Sequence, residues 1–178
     1  MTAVDAEVDP APLVELLEVG PQPWVLLIDG RSGAGKTVLA RSLAAATGAA
    51  LVSLDEVYPG WDGLAAGADA VPGIIRDGRW RRWDWARDVP ADAVSVDRSG
   101  SLIVEGCGAI TRASRALADH AWWVERDAPA RKRRALDRDG DAFAPHWCRW
   151  AAQEVQLDAR EGSRALADLE LSPGARSS

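Results

Sequence analysis

The sequence predicts a three-layer α/β/α domain on a mostly parallel sheet of about five strands. Three observations lead there. Short apolar runs alternate with segments whose apolar residues recur at helical spacing, the pattern of parallel strands joined by helical crossovers. A glycine-rich loop joins the first of those runs to the first long helical segment. No internal repeat and no linker-like stretch divides the 178 residues, a length suited to one domain over 1–178.

The elements follow in order. Residues 1–10 are acidic and contain proline, and they are expected to be loose, as are residues 172–178. Between Pro12 and Val19, the leucines Leu13, Leu16 and Leu17 fall at helical spacing, and Gly20 stops the helix. Trp24-Val25-Leu26-Leu27-Ile28 is a continuous apolar run, as expected of a strand buried on both faces. Lys36 to Thr47 reads as a helix with Val38, Leu39, Leu43 and Ala46 inward and Gly48 as its stop. Leu51 to Leu54 is a second strand, ending at Asp55. Residues 58–100 have weak periodicity and hold Trp61, Trp80, Trp83 and Trp85, so short helices and loops are expected there as a cap over one end of the sheet. Ser101 to Val104 is a third strand, running into Glu105-Gly106, and Ile110 to His120 a helix. Ala121 to Glu125 is a fourth strand. A helix then starts from an Asp127 cap, with Pro129 in its first turn, and stops at Gly140. His146 to Glu161 reads as a further helix and Ala167 to Leu171 as a fifth strand.

Composition excludes several function classes. The formal net charge of -6 argues against a broad nucleic-acid face and against attraction to an anionic membrane. Cys107 and Cys148 form no Cys-x-x-Cys pair and no zinc-like set with His120 and His146, so they read as two reduced thiols. Asp5, Glu7 and Asp9 stand where a signal peptide carries basic residues, and no apolar run approaches the roughly 20 residues of a membrane span. A cytoplasmic protein, monomer or homodimer, is expected.

The loop itself carries chemistry. Gly30-Arg31-Ser32-Gly33-Ala34-Gly35-Lys36-Thr37 satisfies G-x-x-x-x-G-K-[ST] in full, between a buried strand and a helix. Its glycines let successive N–H groups converge on phosphate oxygens, and the helix N-terminus adds partial positive charge. Lys36 is placed to reach the β- and γ-phosphates of ATP, and Thr37 to offer a hydroxyl to Mg²⁺. Chance would produce such a match in about one in a thousand chains of this composition.

A guanine-reading Asn-Lys-x-Asp is excluded, because the chain contains no asparagine. The remaining segments resemble uridine kinases and related nucleoside and nucleotide kinases. Ile28 to Thr37 looks like their phosphate loop. Leu54-Asp55 with Tyr58 resembles the acidic residue after their second strand, and Ile103-Val104-Glu105-Gly106 their third strand. Arg131-Lys132-Arg133-Arg134 with Arg138-Asp139 resembles their arginine-rich lid. The resemblance implies an ATP- and Mg²⁺-dependent kinase acting on a small-molecule acceptor, a nucleoside or nucleotide first. Asp55 would align or deprotonate the acceptor hydroxyl or help hold Mg²⁺, and Glu105 would contact acceptor or metal. In those kinases the region after the second strand holds the acceptor.

Physical reasoning marks the same residues. Asp55 and Glu105 end strands beside the phosphate loop, where open α/β sheets bind ligands, although Asp55 could equally cap a turn. Arg131, Arg134 and Arg138 are spaced to share one helix face and could neutralise a moving phosphoryl group, or could form a solvated face with Asp137, Asp139 and Asp141. In Arg79-Trp80-Arg81-Arg82-Trp83-Asp84-Trp85-Ala86-Arg87, Trp83 could stack on a ring, Asp84 bind hydroxyls, and Arg82 and Arg87 hold an anion. The alternative is that the tryptophans only pack the cap. Trp147 and Trp150 read as packing. A rival function is an accessory ATPase without an acceptor, in which Glu56 would activate water.

Overall fold

The computed structural model describes residues 9–173. Helix α1 (Ala11–Glu18) precedes β1 (Val25–Asp29), the glycine loop, α2 (Lys36–Thr47) and β2 (Ala50–Ser53). After a 3-10 turn at Leu54–Glu56 come α3 (Leu64–Asp77) and two strands, β3 (Arg79–Asp84) and β4 (Val89–Ser95). The chain continues through β5 (Leu102–Glu105), α4 (Arg112–Arg115), β6 (His120–Val124), α5 (Ala128–Phe143), α6 (Trp147–Glu161) and β7 (Leu169–Leu171).

The main sheet has five strands in the order β2-β5-β1-β6-β7, and every pairing is parallel. The fold is the expected three-layer α/β/α arrangement. Alternate residues of each central strand feed opposite layers. Leu26, Ile28, Ile103, Trp122 and Val124 pack with Leu13 and Leu17 of α1 and Leu39 and Leu43 of α2. Val25, Leu27, Val52, Leu102 and Val104 pack with Leu64, Val71 and Ile74 of α3 and Leu157 of α6. Every residue of β1 and β5 is buried, which is why these strands read as unbroken apolar runs.

The register places the site. Ile28 of β1 and Ser53 of β2 both stand opposite Glu105 of β5. The C-terminal ends of the three strands therefore deliver the glycine loop, Glu105 and Asp55 to one edge, where the connections run to opposite faces of the sheet.

Three segments depart from expectation. Residues 58–100 are not short helices and loops: they form a 14-residue helix, α3, followed by an antiparallel hairpin. Gly67, Pro72 and Gly73 disguise the helix, yet Leu64, Ala68, Val71, Ile74 and Ile75 keep a helical apolar face. Gly67 is where the Tyr58 ring lies, because an added Cβ would sit 2.4 Å from its Cδ1. The hairpin is disguised because its residues are mostly exposed and its register slips between Arg81 and Trp83, leaving no clean alternation. The helix expected over 110–120 shrinks to the single turn of α4, held by a reciprocal Thr111–Ser114 capping box. Gly140 breaks α5 as expected, with φ 51°, but helical turns resume beyond it. Of the segments expected to be loose, 1–10 and 172–178, residues 1–8 and 174–178 lie outside the described residues. Among the described residues, no helix is long and apolar enough to cross a membrane.

Candidate functional site

The glycine loop is fitted against the backbone of two neighbouring segments. A Cβ on Gly30 would lie 2.2 Å from the Val124 carbonyl oxygen, and one on Gly33 would lie 2.0 Å from that of Arg131. Both glycines also have positive φ, so no other residue fits either place without moving the chain. Beneath the loop, Asp29 is fully buried and accepts N–H bonds from Gly30 at 2.6 Å, Gly108 at 3.0 Å and Ile110 at 2.9 Å. Burial pushes its carboxyl up to about 6 against the pull of those bonds.

Lys36 opens α2 and is 7% exposed. Its ammonium donates to the Arg31 carbonyl at 3.2 Å and to the Cys107 sulfur at 3.4 Å. Burial works against its charge, but Cys107, Glu105, Asp29 and Glu154 nearby hold it above the usual lysine range. Next to it, Thr37 Oγ1 donates to Glu105 Oε1 at 3.2 Å, and Ser53 Oγ donates to the same oxygen at 2.6 Å. Glu105 is 1% exposed, and its carboxyl is raised by burial and by the charge of Asp55.

Asp55 sits exposed on the 3-10 turn after β2. Its backbone carbonyl accepts the Trp85 indole N–H at 2.7 Å, so the hairpin fixes the turn. Asp55 lines two cavities. One, of about 700 Å³, runs past Gly33, Gly35, Lys36 and Thr37 and is faced by Arg134 and Arg138 of α5. The other, of about 380 Å³, is walled by Tyr58, Trp61, Trp85, Phe143 and Trp150. Asp55, Arg138 and Asp139 belong to both, so the two spaces meet at these side chains.

The three arginines of α5 divide. Arg134 and Arg138 line the large cavity. Arg138 pairs with the neighbouring Asp139 at 2.6 Å. Arg131 does not line it: it is 7% exposed, and its guanidinium donates to the carbonyls of Arg126 at 3.1 Å and Ser32 at 3.2 Å. It straps α5 to the outside of the glycine loop.

The residues expected to hold an acceptor divide as well. Tyr58 is buried, gives its hydroxyl to the Cys107 carbonyl at 2.8 Å and contributes only its ring to the aromatic cavity. Arg82, Trp83, Asp84 and Arg87 line neither of the two cavities. Arg82 pairs with Glu56 at 2.9 Å, and Asp84 Oδ1 accepts the N–H groups of Ala86 and Arg87 at 3.0 and 3.1 Å, closing the hairpin turn. From that segment only Trp85 reaches the cavity.

Sequence reasoning missed four contributors. Trp61, Phe143 and Trp150 converge on the aromatic cavity from three elements, with no common spacing to betray them. Glu154 of α6 is 7% exposed and accepts the Ser32 backbone N–H at 2.7 Å. A carboxylate at a buried helical position four residues after Trp150 is its one visible signal.

No family model and no curated protein sequence matches this chain. Solved structures do. A possible uridine kinase from Bacillus stearothermophilus superposes with a TM-score of 0.63 at 15% identity, covering 90% of this chain and 96% of that one. A proposed fructose transport system kinase from Silicibacter sp. TM1040 gives 0.58 at 19% identity, covering 93% and 100%. Shikimate kinase from Acinetobacter baumannii, in complex with shikimate, gives 0.52 at 14% identity, covering 89% and 86%. The chain thus has the fold of P-loop small-molecule kinases.

Proposed function

We propose that the protein is a phosphotransferase that moves the γ-phosphate of ATP to a hydroxyl of a small molecule. The observation that carries this reading is the junction of the two cavities: Asp55 and Arg138 line both the phosphate loop's space and the aromatic chamber. An ATPase needs no second chamber of that kind.

The loop N–H groups and Lys36 hold the β- and γ-phosphates, and the acceptor lies against the aromatic walls. Asp55 receives the hydroxyl proton while the hydroxyl oxygen bonds to the γ-phosphorus and the bond to the ADP oxygen breaks. Arg134 and Arg138 offset charge on the phosphoryl group as it moves. Thr37 is the residue to hold Mg²⁺, and Asp55 could instead help hold it through water. The hard oxygen donors gathered at Thr37, Ser53 and Glu105 suit that ion, which uses few protein ligands and keeps waters and phosphate oxygens. When bound, the ion supplies positive charge to the phosphates.

A nucleoside fits the chamber by ring stacking; a nucleotide's phosphate would find only Arg138 there, already paired to Asp139. The accessory-ATPase reading is disfavoured because Glu56, its water-activating residue, is paired with Arg82. The test is ADP formation with ATP and Mg²⁺ against a panel of nucleosides, sugars and other small alcohols, with Lys36→Ala as control. Acceptor-dependent turnover lost in the variant supports the reading; hydrolysis that no acceptor changes overturns it.

A further inference from the structure

The aromatic chamber constrains what the acceptor carries. Five of the chain's eleven aromatic side chains line this one space, including its only tyrosine and only phenylalanine. They form corners rather than a flat slot. Trp61 and Trp85 are 4.8 Å apart at 57°, Trp61 and Trp150 stand at 90°, and Tyr58 meets Trp150 at 71°. Phe143 and His146 stack on Trp61 at 11°, which fixes that wall.

The polar groups are few: the Ser32 hydroxyl lies 3.5 Å from the Cys107 sulfur, and the Trp150 indole N–H is buried with no partner among the described residues. Tyr58 gives its hydroxyl to Cys107, and Trp85 gives its indole N–H to Asp55. The charged lining consists of Asp55, Arg138 and Asp139, a formal charge of -1, and Arg138 and Asp139 pair with each other. Among the described residues, no group donates a hydrogen bond to the Asp55 carboxylate. An anionic acceptor would meet net negative charge, and a polyol would find few groups to bond with, the Ser32 hydroxyl and the Trp150 N–H. A base edge would meet no amide side chain. A cation would meet electron-rich ring faces at several angles and the Asp55 carboxylate.

We propose that the acceptor is an amino or ammonium alcohol: its positive group sits among Trp61, Trp85 and Trp150 beside Asp55, and its hydroxyl points toward the phosphate loop. This rests on the phosphotransferase reading and narrows its substrate class.

Tryptophan-fluorescence titration of the full chain with matched pairs tests it. Choline is compared with its neutral isostere 3,3-dimethylbutan-1-ol, and glucosamine with glucose; uridine and gluconate serve as a neutral ring and an anion. The charged member of at least one pair should bind at least tenfold more tightly than its partner. Trp85→Ala should remove that preference and Trp85→Phe should keep most of it; Trp85 is 37% exposed, and both variants lose its indole N–H bond to Asp55, so the difference between them reads the ring alone. No preference in either pair, or tighter binding of uridine or gluconate than of either amine, overturns the inference. ADP formation driven by uridine or glucose and lost in Lys36→Ala would overturn it and leave the kinase reading standing. Tight amine binding without acceptor-dependent ADP would support the charge preference and overturn the kinase reading.

Discussion

The Glu154 carboxylate of α6 accepts the backbone N–H of Ser32 at 2.7 Å, so a side chain 122 residues along the chain holds the shape of the phosphate loop. The same helix supplies Trp150 to the aromatic chamber, and Gln153 donates to the Trp61 carbonyl at 2.7 Å. One helix thus braces both halves of the site. Replacing Glu154 with alanine leaves a part-buried N–H without its partner, a loss of about 1–3 kcal/mol. Thermal unfolding should show a Tm lower by about 2–4 °C per kcal/mol for a chain of this size. Glu154→Gln, which keeps an acceptor oxygen, should lose less.

Asp55 and Glu56 are adjacent but differently engaged, Glu56 being paired with Arg82 at the surface. Asp55→Asn should lower kcat by roughly 10²–10⁴-fold, the range of a lost general base. Glu56→Gln should leave kcat within about a factor of three, because exposed pairs contribute about 0–1 kcal/mol. Steady-state kinetics on the two variants separates the proton acceptor from its neighbour.

Asp29 sets a pH dependence of stability. Its carboxyl stands at about 6 in the fold against an ordinary 3.8. Between these values the folded chain binds the extra proton, so this group's contribution favours folding below the window and declines as pH rises through it to about 6. Denaturant unfolding from pH 4 to 7 should show that downward slope superposed on other groups. Asp29→Asn should flatten it, while losing about 1–3 kcal/mol at pH 7 because its amide cannot accept all three N–H bonds.

Gly67 lies under the Tyr58 ring, where a Cβ would come within 2.4 Å of Cδ1. Gly67→Ala should therefore destabilise by about 1–3 kcal/mol through overpacking, despite alanine's better helix propensity. The displaced ring would also deform the aromatic chamber, so acceptor KM should rise more than ATP KM.

Much of the fold is legible in the sequence because local pattern and tertiary context agree. The fully buried β1 and β5 are apolar up to their last residues, Asp29 and Glu105, and the glycine loop must be what it is because Val124 and Arg131 press on it. Glu105 is legible as a strand end and Asp55 as a residue just past one. The arginine face of α5 is one residue smaller than its spacing suggests, since spacing says which residues share a face but not that Arg131 spends its donors on backbone carbonyls. The acceptor side is the least legible. Trp85, Trp61, Phe143 and Trp150 come from separate elements, and only the fold brings them together. Asp84 looks like a sugar-binding carboxylate but closes a hairpin turn that the sequence conceals.

Phosphoryl transfer at the junction of the two cavities can be followed atom by atom. The measurement is a single-turnover reaction with ATP labelled on its γ-phosphate, in the presence of an acceptor found by the fluorescence titrations. The label should appear on the acceptor, stoichiometric with ADP, and Asp55→Asn and Lys36→Ala should abolish the transfer. Label released only as inorganic phosphate, at a rate the acceptor does not change, would contradict a phosphotransferase.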